Sequence, residues 1–368
     1  MLLRVVKTGM EMFDACRAYG LGLVLSTVSI IEEVYDRVIL QDYGSYYQIE
    51  GPSIVGKNLT NDLRWSNLFS PSDGWIRTFL TNIGSPTLNV KNVERKEKLE
   101  EETKKEIRTF SNALETHLQN ILSQYSGFYF PEITTSKKKG FETLFQSLEG
   151  AASKGFRRAV RDGYEDGKQI YAPEDDLALA YLGSAKFIHW IWGDNMIGVL
   201  PLPQRVEVMN HLEIEKFLES KFVNRVSVTS SIAHYAVIFA ERIREKKASQ
   251  ESYADRYSSL AFNAMVKTGN QWKPVSGGIF PLELLFSLIE RNLHVSEEIF
   301  DIWNSLFGIG NMKGNEDLAQ SLGEFLVAPR LDSFERHVNI LLRYLASQKA
   351  NVRTYPEECL REVMSFVS

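Results

Sequence analysis

Seven cations crowd one stretch of this chain: Lys137, Lys138, Lys139, Lys154, Arg157, Arg158 and Arg161, opposed there only by Glu142 and Glu149. Guanidinium groups present fixed forks of N–H donors that match phosphate oxygens two at a time, and a lysine loop beside them adds mobile point charges. A helix through 154–161 would bring Lys154, Arg157, Arg158 and Arg161 to one side, because steps of three and four residues return to the same face. Gly155 weakens such a helix. Two turns carry the other chemistry of interest, Gly193-Asp194-Asn195 and Asn270-Gln271. Asn and Gln amides both donate and accept at base edges, and glycine lets a backbone approach closely. Each of these features also has a plainer reading, as a solvated basic patch or as ordinary turn chemistry.

Signatures of catalysis are missing. The sequence has no Walker A loop, GxSxG, HExxH or CxxC. His189 falls in an apolar run, and His234 and His337 fall in amphipathic helical patterns, where a hydrogen-bonded core histidine is the expected role. Asp175 and Asp176 open a helix, a position that the helix dipole favours for carboxylates. A metal site built from Asp175, Asp176 and Asp194 would need a geometry that nothing in the sequence fixes. The chain therefore reads as a non-enzyme with no cofactor and no metal.

Composition narrows the class further. Of 368 residues, 44% are hydrophobic and 11% aromatic, which is the profile of a folded protein with a large core. The net charge of −5 rules out a uniformly basic surface and turns attention to local patches. Cys16 and Cys359 lie far apart in segments that read as half-buried helices, as in a reduced cytoplasmic protein. The start of the chain lacks a secretory signal pattern, and the apolar run over 21–31 is too short to span a bilayer. No membrane role is expected.

The elements that must hold these residues can be read from hydrophobic period. A helix is expected over 10–29, then a hairpin of strands 34–41 and 46–50 turning at Asp42-Tyr43-Gly44-Ser45. Short helices fit 59–83. The Glu- and Lys-rich stretch 91–122 reads as a long solvated helix. A loop or short strand spans 125–139, and a helix is expected over 141–160. Another helix starts at Pro173 and stops near Gly183, followed by a hairpin of 185–192 and 196–201. The pattern over 228–247 is an amphipathic helix that ends in Arg242, Arg244, Lys246 and Lys247, and 261–267 reads as a strand. Beyond about residue 280 the pattern is helical, with caps at Ser296 and at Asp332 or Ser333, and a last start at Pro356. The expected architecture is α+β, with a mixed body over 1–280 and a helical region over 281–368.

Near the N-terminus, Ala18-Tyr19-Gly20-Leu21-Gly22 sets two glycines in a helical pattern, where the lack of a Cβ admits close packing. Taken with the segments 187–195, 262–273 and 322–336, this region resembles the large subunit of type I CRISPR Cascade complexes, in the compact type I-A-like form. The resemblance implies a non-catalytic subunit of a ribonucleoprotein. Such a subunit sits near the 5′ end of the guide RNA and recognises the protospacer-adjacent motif in double-stranded target DNA. It also assists strand separation and docks the helicase-nuclease. Backbone, guide-end and small subunits would be its partners, the small subunit as a separate polypeptide because this chain has little room for a C-terminal bundle. The competing class is a helical protein–protein adaptor without a nucleic-acid role, supported by the charged helix 91–122 and the helical last quarter.

Overall fold

The computed structural model describes residues 1–31, 37–53, 68–69, 93–149, 169–193, 195–249, 255–268, 271–347 and 352–367. The fold is α+β. A seven-stranded antiparallel sheet contains β1 (Leu2–Val6), β2 (Ile39–Asp42), β3 (Tyr46–Glu50), β6 (His189–Trp192), β7 (Asn195–Glu207), β8 (Arg256–Thr268) and β9 (Gln271–Pro281). The order is β1-β3-β2-β7-β8-β9. Strand β7 is long enough that β2 pairs with its C-terminal end and β6 with its N-terminal end. Strands β4 (Phe141–Thr143) and β5 (Tyr171–Pro173) form a separate two-stranded ladder.

Helix α1 (Glu11–Ile31) is buried along nearly its whole length, its charged Asp14 and Arg17 included. It packs between the sheet and α3 (Glu174–Phe187). Gly20 makes that approach possible: a Cβ there would lie 2.0 Å from the Leu179 carbonyl oxygen, and one on Gly183 would lie 2.0 Å from that of Cys16. Gly22 faces the Val208 side chain in the same way. Both N-terminal glycines are thus packing residues, and Gly183 is a third. This explains why α3 does not stop at Gly183 but runs to Phe187, so the strand expected from 185 begins only at His189.

Helix α2 (Val93–Tyr125) is the long charged helix, and its inner stripe of Leu114, Leu118, Ile121, Leu122 and Tyr125 is fully buried. Helices α4 (Val208–Leu218) and α5 (Val228–Ala248) also contact the sheet. The C-terminal helices are α6 (Glu283–Arg291), α7 (Leu293–Gly310), α8 (Glu316–Val327), α9 (Leu331–Ser347) and α10 (Glu357–Val367). They join the body through α5, where Gly323 of α8 sits against the Ser230 backbone.

Several expectations need correction. The helix expected over 141–160 is, through residue 149, strand β4 followed by turns; the remainder lies outside the described residues. Strands β1 and β9 and helix α4 had no counterpart in the sequence reading. Helix α7 is capped by Asn292, whose side chain accepts from the His294 and Val295 amides, and Ser296 sits inside the first turn.

Candidate functional site

The strand register brings together the two turns expected to probe a groove. Asn195 opens β7 opposite Val266 of β8, and two residues past Val266, Thr268 at the end of β8 pairs with Gln271 at the start of β9. The tips are joined through their aromatics, with the Trp192 and Trp272 rings 5.3 Å apart and edge-on. Trp192 and Trp272, 80 positions apart in sequence, thus occupy one end of one sheet. Asn195 is half-buried at this end. The Gln271 side chain, and all of Asp194 and Asn270, lie outside the described residues.

Beside this end lies a cleft of about 240 Å³. One wall is Ile188 and β6, with His189, Trp190, Ile191 and Trp192; Glu215 of α4 lines it as well. Cations come from two further places: Lys186 in the last turn of α3, and Lys221 and Arg225 in the segment joining α4 to α5. Arg225 lies against Gly193 of the β6–β7 turn, and its amide donates to Asn311 Oδ1 at 3.1 Å. Lys221 Nζ stands 4.3 Å from the centre of the Phe217 ring.

The cleft's two acids differ. Glu219 follows the last turn of α4, and its charge supports the Lys186 ammonium. Burial pushes Glu215 up to about 8, against the lowering effect of the Tyr235 hydroxyl that donates to its Oε1 at 2.9 Å. At pH 7 Glu215 is therefore mostly a neutral acid, and Glu219 is outnumbered by Lys186, Lys221 and Arg225. Burial, aided by the neighbouring Lys216, depresses the Lys186 ammonium.

Behind the cleft is an aromatic stack. Tyr19, Phe187 and His211 lie ring on ring, with centroids 4.6, 4.9 and 5.4 Å apart. Burial lowers His211 to about 3, and His211 Nδ1 meets the Tyr257 hydroxyl at 2.9 Å. His189 is buried and its ring lies 4.9 Å from that of Tyr235. His234 Nδ1 accepts from the Asn224 amide, and His337 bridges Ser321 and Tyr355. His234 and His337 are hydrogen-bonded core residues, as their sequence setting implied.

The basic run is only partly visible. Lys137, Lys138 and Lys139 are exposed in the loop before β4, with Lys138 paired to Glu132 and 5.7 Å from the Phe141 ring centre. Lys154, Arg157, Arg158 and Arg161 lie outside the described residues. No helix among the described residues is long and apolar enough to cross a membrane.

No family model matches the chain. It is 31% identical over 370 residues to an uncharacterized protein of Archaeoglobus fulgidus, an alignment covering 98% of this chain and 97% of the relative. The chain belongs to that protein's family.

The acidic pair resolves into two separate roles. Asp175 meets His117 Nδ1 at 2.8 Å and ties α3 to α2, raising the His117 pKa by that hydrogen bond and its charge. Asp176 is buried. It accepts from Arg17 at 2.8 Å, from the Tyr125 hydroxyl at 2.5 Å and from the Tyr129 hydroxyl at 2.9 Å, while Arg17 also pairs with Asp14 at 2.7 Å. Among the described residues no three His, Cys, Asp or Glu side chains group as a metal site. Sequence reading missed both this network and the cleft cations. Lys221 and Arg225 sit in an ordinary loop, and Arg17 looks like any helix-surface charge until α3 covers it.

Proposed function

We propose that the protein is a non-catalytic nucleic-acid-binding subunit, the large subunit of a type I CRISPR Cascade. In this role it reads a short protospacer-adjacent motif in duplex DNA, assists strand separation and docks the helicase-nuclease. The observation that carries the reading is the meeting of two hairpin ends, Asn195 and the Thr268–Gln271 pair, beside Lys221 and Arg225. Two adjoining antiparallel turns can enter a groove that admits a β-ribbon, presenting amides to base edges while flanking cations take phosphates. Guide pairing reads most of the target, so a protein contact with a few base pairs suffices. The cations of 137–161 add backbone grip, and other subunits and the guide RNA supply the rest. The cytoplasm is the expected compartment, where Cys16 and Cys359 stay thiols; both are buried and unbridged.

The test is an assembly with backbone, guide-end and small subunits and guide RNA, followed by gel shift on duplexes carrying a randomised motif. We expect motif-dependent binding that weakens steeply with salt. Asn195→Ala combined with Asn270→Ala should flatten the motif preference. Reversing charge at Arg157, Arg158 and Arg161 should weaken all sequences alike and reduce the log–log salt slope by about 3. Motif-independent binding by the full assembly would overturn the proposal.

A further inference from the structure

We propose that the cleft between β6 and the segment joining α4 to α5 binds a phosphate or diphosphate group, held by Lys186, Lys221 and Arg225. Three observations carry this. The cations reach the cleft from two separate segments and are positioned there: Arg225 by its backbone bond to Asn311 and by Gly193, Lys221 by the Phe217 ring. Among the described residues neither Lys221 nor Arg225 has a carboxylate within salt-bridge reach. Second, burial holds the floor carboxyl Glu215 up at about 8, against the Tyr235 hydrogen bond, so it adds little negative charge to the cleft at pH 7. Lys186 is half-buried with Lys216 near it; both disfavour its charge, Glu219 offsets them only in part, and an anion in the cleft would add to that support. Third, the volume of about 240 Å³ is below the range of roughly 300–1,000 Å³ typical of drug-sized ligands, which suits a phosphate or diphosphate group and no attached nucleoside.

That group has two possible sources, the terminal phosphate of a nucleic-acid strand or a small free phosphorylated anion. The proposal goes beyond duplex recognition, and its test needs no partner subunit. The full chain is titrated with inorganic pyrophosphate by calorimetry, and with a short single strand bearing either a 5′-phosphate or a 5′-hydroxyl by fluorescence anisotropy. Lys221→Ala combined with Arg225→Ala, both at exposed positions, should weaken binding by at least about tenfold, as expected for two charge-assisted contacts. The control Lys247→Ala, an exposed cation on α5, should leave it unchanged. A strand source is supported if the 5′-phosphate binds at least about tenfold tighter than the hydroxyl. A free-anion source is supported if only pyrophosphate binds. The proposal is overturned if neither pyrophosphate nor the phosphorylated strand binds, if the two strands bind equally without pyrophosphate binding, or if the double variant binds like the parent chain.

Discussion

Arg17 shows how much a single buried charge can decide. Burial works against its guanidinium, yet Tyr125, Asp176 and Asp14 around it hold its pKa above the usual value. The network closes α1, α2 and α3 on one another. Arg17→Ala would strand Asp14 and Asp176 without their cation, so we expect a loss of ~3–5 kcal/mol, measured by urea denaturation. Titration sets a second residue-level expectation. His211, His234 and His337 are pushed down by burial to about 3, about 4 and about 4, below the ordinary histidine value of 6.5. The unfolded chain takes up those protons first, so stability falls as pH drops below about 6.5. Glu215 acts in the opposite direction. Its folded value of about 8 lies above 4.5, so its contribution is full below pH 4.5 and is lost as pH rises toward 8. These groups together favour a maximum near about pH 7, and Glu215→Gln should flatten the alkaline limb. Unfolding midpoints across pH 4–9 check both signs; a parent midpoint that rises between pH 7 and 8 would exclude the Glu215 assignment.

At the scale of elements, the α1–α3 crossing depends on backbone meeting backbone at Gly20 and Gly183. A Cβ at Gly183 would meet the Cys16 carbonyl at 2.0 Å, which neither helix can yield without parting. We expect Gly183→Ala to destabilise by at least about 1–3 kcal/mol, as overpacking does in well-filled cores. Gly308 in α7 is the contrast. A Cβ there meets nothing within 4 Å, so Gly308→Ala should raise the melting temperature through helix propensity, worth up to about 1 kcal/mol. Equal effects at the two sites would show that propensity, not contact, governs the crossing. These elements also show the limits of sequence period. Over 185–187 the sequence pattern predicts strand, and the structure has the last turn of α3, just past Gly183 seated on α1.

For the whole molecule, the sheet order matters most. Strand β7 joins β2 at one end and β6 at the other, so the N-terminal hairpin and both middle hairpins share one sheet. The β6–β7 and β8–β9 tips therefore meet, and the α4–α5 connection comes alongside them with Arg225. A Trp272→Ala substitution should remove the edge-on contact with Trp192. In the assembled complex we expect weaker motif discrimination with little change in the salt slope, since no phosphate contact is lost. A changed slope with intact discrimination would place Trp272 away from the base-reading surface.

The sequence by itself determined the α+β class, the buried N-terminal helix with Gly20 and Gly22 at close contacts, the hairpin at Gly44, the long charged helix and the helical last quarter. Each follows from local period, turn chemistry or the absence of a Cβ, all of which act within a few residues. Only the tertiary structure decided that Asp176 belongs to Arg17, that β9 completes the sheet edge, and that Lys186, Lys221 and Arg225 share a cleft with the two hairpin tips. These are pairings between distant segments, fixed by strand register and helix crossing, and no local pattern encodes which segments will meet.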